Sequence, residues 1–315
     1  MKVKMIVIML LVVVIGISSG YGLSAAAATV NPCTTVKAGS KLLLGNDEVK
    51  PYQIAKLTVL KNTILFNANK SKIRMAKPGE KFRVYAIQFD RLDLGNGVFA
   101  ANNQNIKLDI VNTKLQQLAM CVRDKNLEQA AGQMLLVKES SHDKTKATLQ
   151  RFRKQSGKWV KVSQSMSAVV GKEGVGKTRE SDSLTPKGTY LLGKVFGWGT
   201  KPSGMTYPFL PVGKFDYWVD STISKDYNKY VHYTGNPYQR WKSFERLTHP
   251  LYKYAVIIRY NDAPIINGAG SAIFLHIKNS STRYTLGCVA ISEKDLLTTI
   301  KWLNPKAYPI IKIEH

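Results

Sequence analysis

Two residues able to cooperate in acyl transfer stand twelve positions apart near the end of the sequence, His276 and Cys288. His276 closes an apolar run, residues 272–275, and opens a polar loop; Gly287-Cys288 leads into a second apolar run, residues 289–291. Each run reads as a strand, and a hairpin-like connection would bring the imidazole and the thiol together. A thiolate attacks a carbonyl carbon, and a neighbouring imidazole takes the proton and returns it. Gly287 would let the backbone approach closely and turn its N–H groups toward a developing oxyanion. The same pair would serve equally as a buried core thiol and a satisfied strand-end histidine, so the surrounding residues decide.

Those residues carry a likeness. Phe274-Leu275-His276, followed by Thr285-Leu286-Gly287-Cys288-Val289, resembles the active-site signature of the L,D-transpeptidases of the YkuD type. The likeness continues upstream through Thr185-Pro186-Lys187-Gly188-Thr189-Tyr190, residues 216–220, Tyr260-Asn261 and residues 264–271, and so covers roughly the last 180 residues. Three positions depart from the usual pattern. Leu286 stands where many members have a second histidine, Ala290 where many have arginine, and Ile277 where glycine is common.

The resemblance implies an enzyme of peptidoglycan stem peptides with Cys288 as nucleophile and His276 as general base and acid. The backbone N–H groups of Leu286, Gly287 and Cys288 would form the oxyanion hole. Arg283, Ser271 and Tyr260 are the substrate-binding candidates, Arg283 because it could supply the charge missing at Ala290. No metal or organic cofactor is implied. The acyl-enzyme would pass to an amine, making a 3→3 crosslink, or to water, making an L,D-carboxypeptidase. A wall-binding protein with a decayed site is the non-enzymatic alternative.

The elements that must position the pair read as mainly β: a β-sandwich-like catalytic domain over residues 132–315, preceded by a small barrel over residues 29–110. In the first segment, residues 54–60, 63–66, 81–87 and 97–100 are rich in β-branched and aromatic residues, with polar breaks at 67–69, 77–79 and 95–97. Their order resembles a bacterial SH3-like domain, which would imply cell-wall attachment. Leu115, Leu118, Ala119, Val122 and Leu127 recur at helical spacing, so residues 111–131 read as a connecting helix. Further strands are expected at residues 134–137, 147–152, 159–162 and 254–258, with a hairpin turn at Ser156-Gly157. Residues 196–250, rich in Gly, Pro and aromatics, are expected to be long loops walling a cleft. Ser292-Glu293-Lys294-Asp295 forms a capping box for a helix carrying Leu296, Leu297, Ile300 and Leu303 on one face. A final strand is expected at 308–313.

Composition narrows the partners. The 315 residues carry 46 Lys plus Arg against 21 Asp plus Glu, a net charge of +25. Lys2 and Lys4, the 13 apolar residues from 5 to 17 and the alanines at 25–28 make a secretory signal peptide, cleaved near Ala27 or Ala28. The expected location is therefore secreted, in the cell wall or otherwise extracytoplasmic. For an exported chain the basic excess suits anionic wall polymers rather than nucleic acid. Of three cysteines, Cys33, Cys121 and Cys288, an odd number leaves at least one free thiol; spacing leaves open whether Cys33 and Cys121 pair. Residues 171–178 fit G-x-x-x-x-G-K-[ST], but Pro186 and Gly188 follow where a phosphate loop needs a helix. The segment reads as a flexible loop, with no ATP site. His232 and His249 are isolated, without metal-ligand spacing.

Overall fold

The pairing of two short buried strands sets the architecture around the site. The computed structural model describes residues 31–315; the expected signal segment lies outside the described residues. In the catalytic region the strands are β1 (Gln133–Glu139), β2 (Lys146–Gln155), β3 (Lys158–Lys161), β4 (Met166–Val169), β5 (Gly188–Gly197), β6 (Ala255–Ile258), β7 (Phe274–Ile277), β8 (Val289–Ile291) and β9 (Ile310–Glu314). They hydrogen-bond in the order β1-β9-β5-β6-β7-β8-β4-β2-β3, and Phe209–Pro211 adds to β5. β1 pairs with β2 as well as with β9, so the sheet closes on itself. The halves expected as two sheets of a sandwich are continuous.

β7 and β8 are not the antiparallel hairpin suggested by their sequence separation. They are parallel, with Leu275 opposite Val289 and His276 opposite Ala290. The polar loop between them must therefore carry the chain back along the length of β7. The alternation of a strand then sorts their side chains. Leu275, Ile277, Val289 and Ile291 enter the main core with Leu135, Val256 and Leu296. Phe274 and Cys288 face the other side, in a second cluster with Phe196, Tyr252 and Ala272.

A layer built from residues 196–252 covers that second face. Asp216–Val219 pairs with Lys229–His232 on one side and Glu245–Arg246 on the other, so the stretch expected as loops holds a small antiparallel sheet. Its strands mix polar residues with aromatics and show no clean apolar alternation, which concealed it. Its Trp218 meets the Phe274 ring edge-on at 5.2 Å, and Tyr252 and Phe196 do so at 5.6 and 5.0 Å. Offset and edge-to-face aromatic pairs contribute roughly 0.5–1.5 kcal/mol each beyond area burial, so this cage clamps β7 where it delivers its histidine.

The helix expected after the cysteine forms as α2 (Glu293–Trp302), following α1 (Thr113–Ala130) earlier in the chain. Ser292 caps α2, its Oγ accepting from the Asp295 N–H at 3.1 Å, and Leu296 and Ile300 bury beneath it. α1 begins at Asn112, whose Oδ1 accepts from Leu115 N–H at 2.9 Å.

Before α1, a three-stranded sheet (Ile106–Ile110, Ala55–Val59, Lys81–Val84) and a five-stranded one share a core of Leu57, Val59, Leu65, Val84 and Leu92. The single strand expected over residues 81–87 breaks after Val84: Ala86–Ile87 belongs to the other sheet. Tyr85 makes the crossing, its N–H donating to the Asp93 carbonyl at 2.8 Å. Strand Lys72–Ala76 was not expected; Ile73 and Met75 alternate with Lys72 and Arg74, yet four of its five residues are exposed. Pro32–His315 cluster as one compact unit. The N-terminal sheets meet the catalytic region where Asn96 exchanges two hydrogen bonds with Ile265, and where Asp93 accepts from the Asn267 N–H at 2.7 Å. Among the described residues no helix is long and apolar enough to cross a membrane.

The pairing that spacing left open is present: Cys33 and Cys121 form a disulfide that joins the start of the described chain to α1 across 88 residues. Closing so long a loop restricts the unfolded chain, and loop-entropy arguments give roughly 4–5 kcal/mol. Reduction, or Cys33→Ser/Cys121→Ser, should lower the thermal midpoint without changing the reactivity of Cys288. An unchanged midpoint would show that the crosslink contributes no stability.

Candidate active site

Cys288 immediately precedes β8 and is the free cysteine among the described residues. Two threonines hold its backbone: Thr285 and Thr185 each donate a hydroxyl hydrogen bond to the Cys288 carbonyl, at 2.6 and 3.1 Å. Thr185 Oγ1 also accepts from the Gly171 N–H at 2.8 Å, so the Cys288 main chain is tied to a segment far away in sequence. Gly287 has φ +142°, a conformation that side chains strain. A Cβ there would come within 3.1 Å of both Ile273 Cδ1 and the Leu184 carbonyl. Only glycine fits this corner.

The thiol is buried. It donates to the Ala272 carbonyl at 3.3 Å, and the Phe274 N–H donates to Sγ at 3.4 Å. Ala272 itself has φ +53°, and the Asn228 side chain holds it by accepting from the Ala272 N–H at 3.2 Å. Such left-handed residues persist only where the surroundings over-determine them. Burial, with a smaller push from the Glu245 carboxylate, raises the thiol to about 12.

His276 lies on the same face of the sheet as Cys288, because Cys288 is two residues before its β8 partner Ala290. Its Nδ1 is 2.8 Å from the Ile277 carbonyl. A carbonyl only accepts, so Nδ1 carries the proton and Nε2 is left with its lone pair. The ring is buried against Tyr252, centroids 5.4 Å apart, and burial pulls its pKa down to about 4. At neutral pH the pair is thus an uncharged thiol and an uncharged imidazole. The thiol proton points at Ala272, not at His276.

Both side chains line one cavity of about 460 Å³, together with Ser271 and Leu286 of the sequence-derived candidates. Ser271 donates its hydroxyl to Glu180 Oε2 at 2.8 Å. Leu286, where a second histidine is common, is largely exposed at the mouth. Of the three amides expected to hold an oxyanion, that of Gly287 already donates to Thr285 Oγ1 at 3.2 Å. The other two substrate candidates do not line this cavity. Arg283 is exposed, and its loop is fixed by Lys146 donating to the Arg283 carbonyl at 3.4 Å. Tyr260 is buried beneath the neighbouring cavity, its hydroxyl committed to the Ala269 carbonyl at 2.6 Å and its ring packed on Tyr190.

The cavity also contains residues that spacing did not point to. Lys177 comes from the P-loop-like segment. That segment bridges to Thr285 and Thr185 instead of opening a helix. Its Gly171 is needed because a Cβ there would lie 2.3 Å from the Ser183 carbonyl. Lys177 Nζ sits 2.8 Å from Asp182, both side chains buried. Burial would raise the Asp182 carboxyl, but Lys177 and the N–H groups of Thr178, Arg179 and Leu184 hold it down to about 2. His249, read from sequence as isolated, lines the cavity with its ring 5.2 Å from Tyr252. Glu180, Asp220 and Glu245 complete the wall. Among the described residues no group of His, Cys, Asp and Glu is arranged to hold a metal ion.

An uncharged pair has a measurable signature. Alkylation of Cys288 by iodoacetamide should be slow at pH 7 and rise roughly tenfold per pH unit between pH 8 and 11, since the thiolate fraction grows tenfold per unit below the thiol's pKa. A rate constant that is already high and flat from pH 5 to 8 would instead reveal a standing thiolate–imidazolium pair.

Residues 143–311 match the model of the L,D-transpeptidase catalytic domain, YkuD. No curated protein and no solved structure matches the chain. The match spans more than half of the sequence and includes β7, β8, His276 and Cys288. The chain therefore belongs to the L,D-transpeptidase (YkuD) family.

Proposed function

We propose that this protein is an exported peptidoglycan L,D-transpeptidase working through a cysteine acyl-enzyme at Cys288. The observation that carries the reading is the shared cavity, in which a buried thiol and an imidazole with its Nε2 lone pair free of Nδ1's proton lie on one sheet face. Family membership supplies the substrate class, the stem peptides of peptidoglycan.

The chemistry follows from the resting geometry. A donor stem entering the cavity displaces water and brings its carbonyl, the one before a terminal D-alanine, to the sulfur. Turning Sγ away from the Ala272 carbonyl directs its proton to His276 Nε2. The ion pair is costly in this buried setting, so proton transfer accompanies attack rather than preceding it. The S–C bond forms, and the carbonyl oxygen takes negative charge. The N–H groups of Leu286 and Cys288 are the donors proposed for it. As the intermediate collapses, the C–N bond breaks, the His276 proton passes to the leaving amine, and D-alanine departs. A side-chain amine of a second stem then gives its proton to Nε2 and attacks the thioester; the C–S bond breaks, the departing Cys288 sulfur takes the proton back from His276, and a 3→3 link remains. Water in the amine's place would make the enzyme an L,D-carboxypeptidase.

Attachment to the wall is assigned to residues 29–110, read as SH3-like, with the +25 charge favouring anionic wall polymers. Export rests on the signal segment described from the sequence.

Cys288→Ala should abolish both crosslink formation and D-alanine release, and intact-mass analysis with a carbapenem should place one adduct on Cys288. His276→Ala should cost roughly 10²–10⁴-fold in acylation rate. Near-normal acylation of His276→Ala with an unchanged pH profile would refute the pairing; an adduct on Cys33 or Cys121 would refute the nucleophile.

A further inference from the structure

The lysine of the P-loop-like segment ends beside Cys288. Its backbone N–H donates to the Thr185 carbonyl at 3.2 Å, and the Thr185 hydroxyl in turn holds the Cys288 carbonyl. The side chain then runs between two backbone corners that frame the thiol, at Gly270 and Gly287. A Cβ on Gly270 would lie 2.3 Å from Lys177 Cε, and one on Gly287 would lie 3.6 Å from Nζ. Both glycines have positive φ, +119° and +142°, so neither wall carries a side chain and the lysine fills the space. With 2% of that side chain exposed, the ammonium is held against the residue that precedes Cys288. Among the described residues lining the Cys288 cavity it is the lysine, and no arginine joins it.

Holding Asp182 does not account for this ammonium. Asp182 also accepts from the N–H groups of Thr178, Arg179 and Leu184, at 2.8, 3.0 and 3.1 Å, so the backbone around it already satisfies the carboxylate. Burying an ion pair costs both partners their water, and replacing such a pair with apolar side chains is often neutral or stabilising. The pair is also oriented. The charge of Asp182 acts on Tyr260, under the neighbouring cavity, and pushes that phenol up. The charge of Lys177 acts on Cys288, against burial and the Glu245 carboxylate. The other ionisable groups in the wall of the Cys288 cavity are His276 on β7 and Tyr284 in the loop after it, with Asp220, Glu245, His249 and Tyr252 from the covering layer and Glu180 beyond Lys177. Three of these are carboxylates, which oppose a thiolate.

We infer that Lys177 is a positioning residue for the thiol chemistry: its ammonium, wedged between the Gly270 and Gly287 corners, favours negative charge on the Cys288 sulfur as the proton leaves. Its part in acyl transfer rests on the transpeptidase reading. The thiol proton still passes to His276; Lys177 keeps its own protons and makes no bond to substrate. A fixed charge acts strongly where water is excluded, and it needs no reorganisation when attack begins.

The test uses the full-length protein with iodoacetamide as the probe, which reads the thiol without substrate. Cys33 and Cys121 are joined, so Cys288 is the free cysteine among the described residues. Lys177→Met keeps the apolar stem and removes the charge. Alkylation at pH 9 should slow about three- to tenfold, with the pH profile displaced to the alkaline side, because loss of a nearby positive charge raises a thiol. The direction separates this role from a structural one. If the ion pair merely held the two corners together, its loss would hydrate the thiol and speed alkylation. A Lys177→Met rate equal to or faster than that of the wild type therefore overturns the inference. If Lys177→Met does not fold, Lys177→Met/Asp182→Asn removes the buried pair as a whole and must show the same slowing. Acylation by a carbapenem should slow in parallel, and unchanged acylation would overturn the part of Lys177 in the reaction. Slowed alkylation in a protein whose wild type forms no acyl-enzyme with a tetrapeptide would remove the transpeptidase reading and leave the action on the thiol standing.

Discussion

Burial of two ionisable groups on one face of a closed sheet is the constraint on which the rest depends. Parallel pairing of β7 with β8 puts Cys288, two residues before His276's partner Ala290, on the same sheet face as His276, and the aromatic layer packs over Phe274 between them. The thiol is pushed up to about 12 and the imidazole down to about 4. Neither carries charge until a substrate gives the charge somewhere to go. A site of this kind is protected from adventitious oxidation and alkylation at rest, because the thiolate is the reactive form. In the proposed mechanism it becomes reactive when attack and proton transfer are coupled.

Rigidity around the sulfur follows from the same arrangement. Thr285 and Thr185 fasten the Cys288 carbonyl, Asn228 fastens the strained Ala272, and Gly287 makes a corner that no side chain could occupy. These contacts come from four separated stretches of sequence. Cys288 is therefore positioned by tertiary structure, while only its immediate neighbours are local. The P-loop-like segment belongs to this scaffold: its Gly171 allows close approach to Ser183 and Thr185, and its lysine is held by a buried aspartate.

The sequence made part of this visible, and the reason is physical. Apolar runs before His276 and after Cys288 mark buried strands by period and composition, so the chemical pair could be found. α1 and α2 were found for the same reason, one by its helical spacing and the other by its capping box. The direction of β8 was not legible, because a short apolar run carries no information on whether its partner is parallel. β5 was hidden by its glycines, and the sheet over residues 216–246 by its mixture of polar and aromatic residues. Glu180, Asp220, Glu245 and His249 had no motif to announce them; they meet only when the covering layer folds onto β7. Arg283, expected to supply the charge missing at Ala290, and Tyr260, expected from the likeness, lie outside the lining of the cavity: a loop backbone contact holds one and a buried hydroxyl contact the other.

The protonation state of His276 bears most directly on this account. Nitrogen-15 NMR of the imidazole, assigned by comparison with His276→Gln, reports both the tautomer and the titration of the ring. The account requires the Nδ1–H form, with Nε2 unprotonated, throughout the neutral range and protonation only near pH 4. An imidazolium at pH 7, or a neutral ring protonated at Nε2, would contradict it.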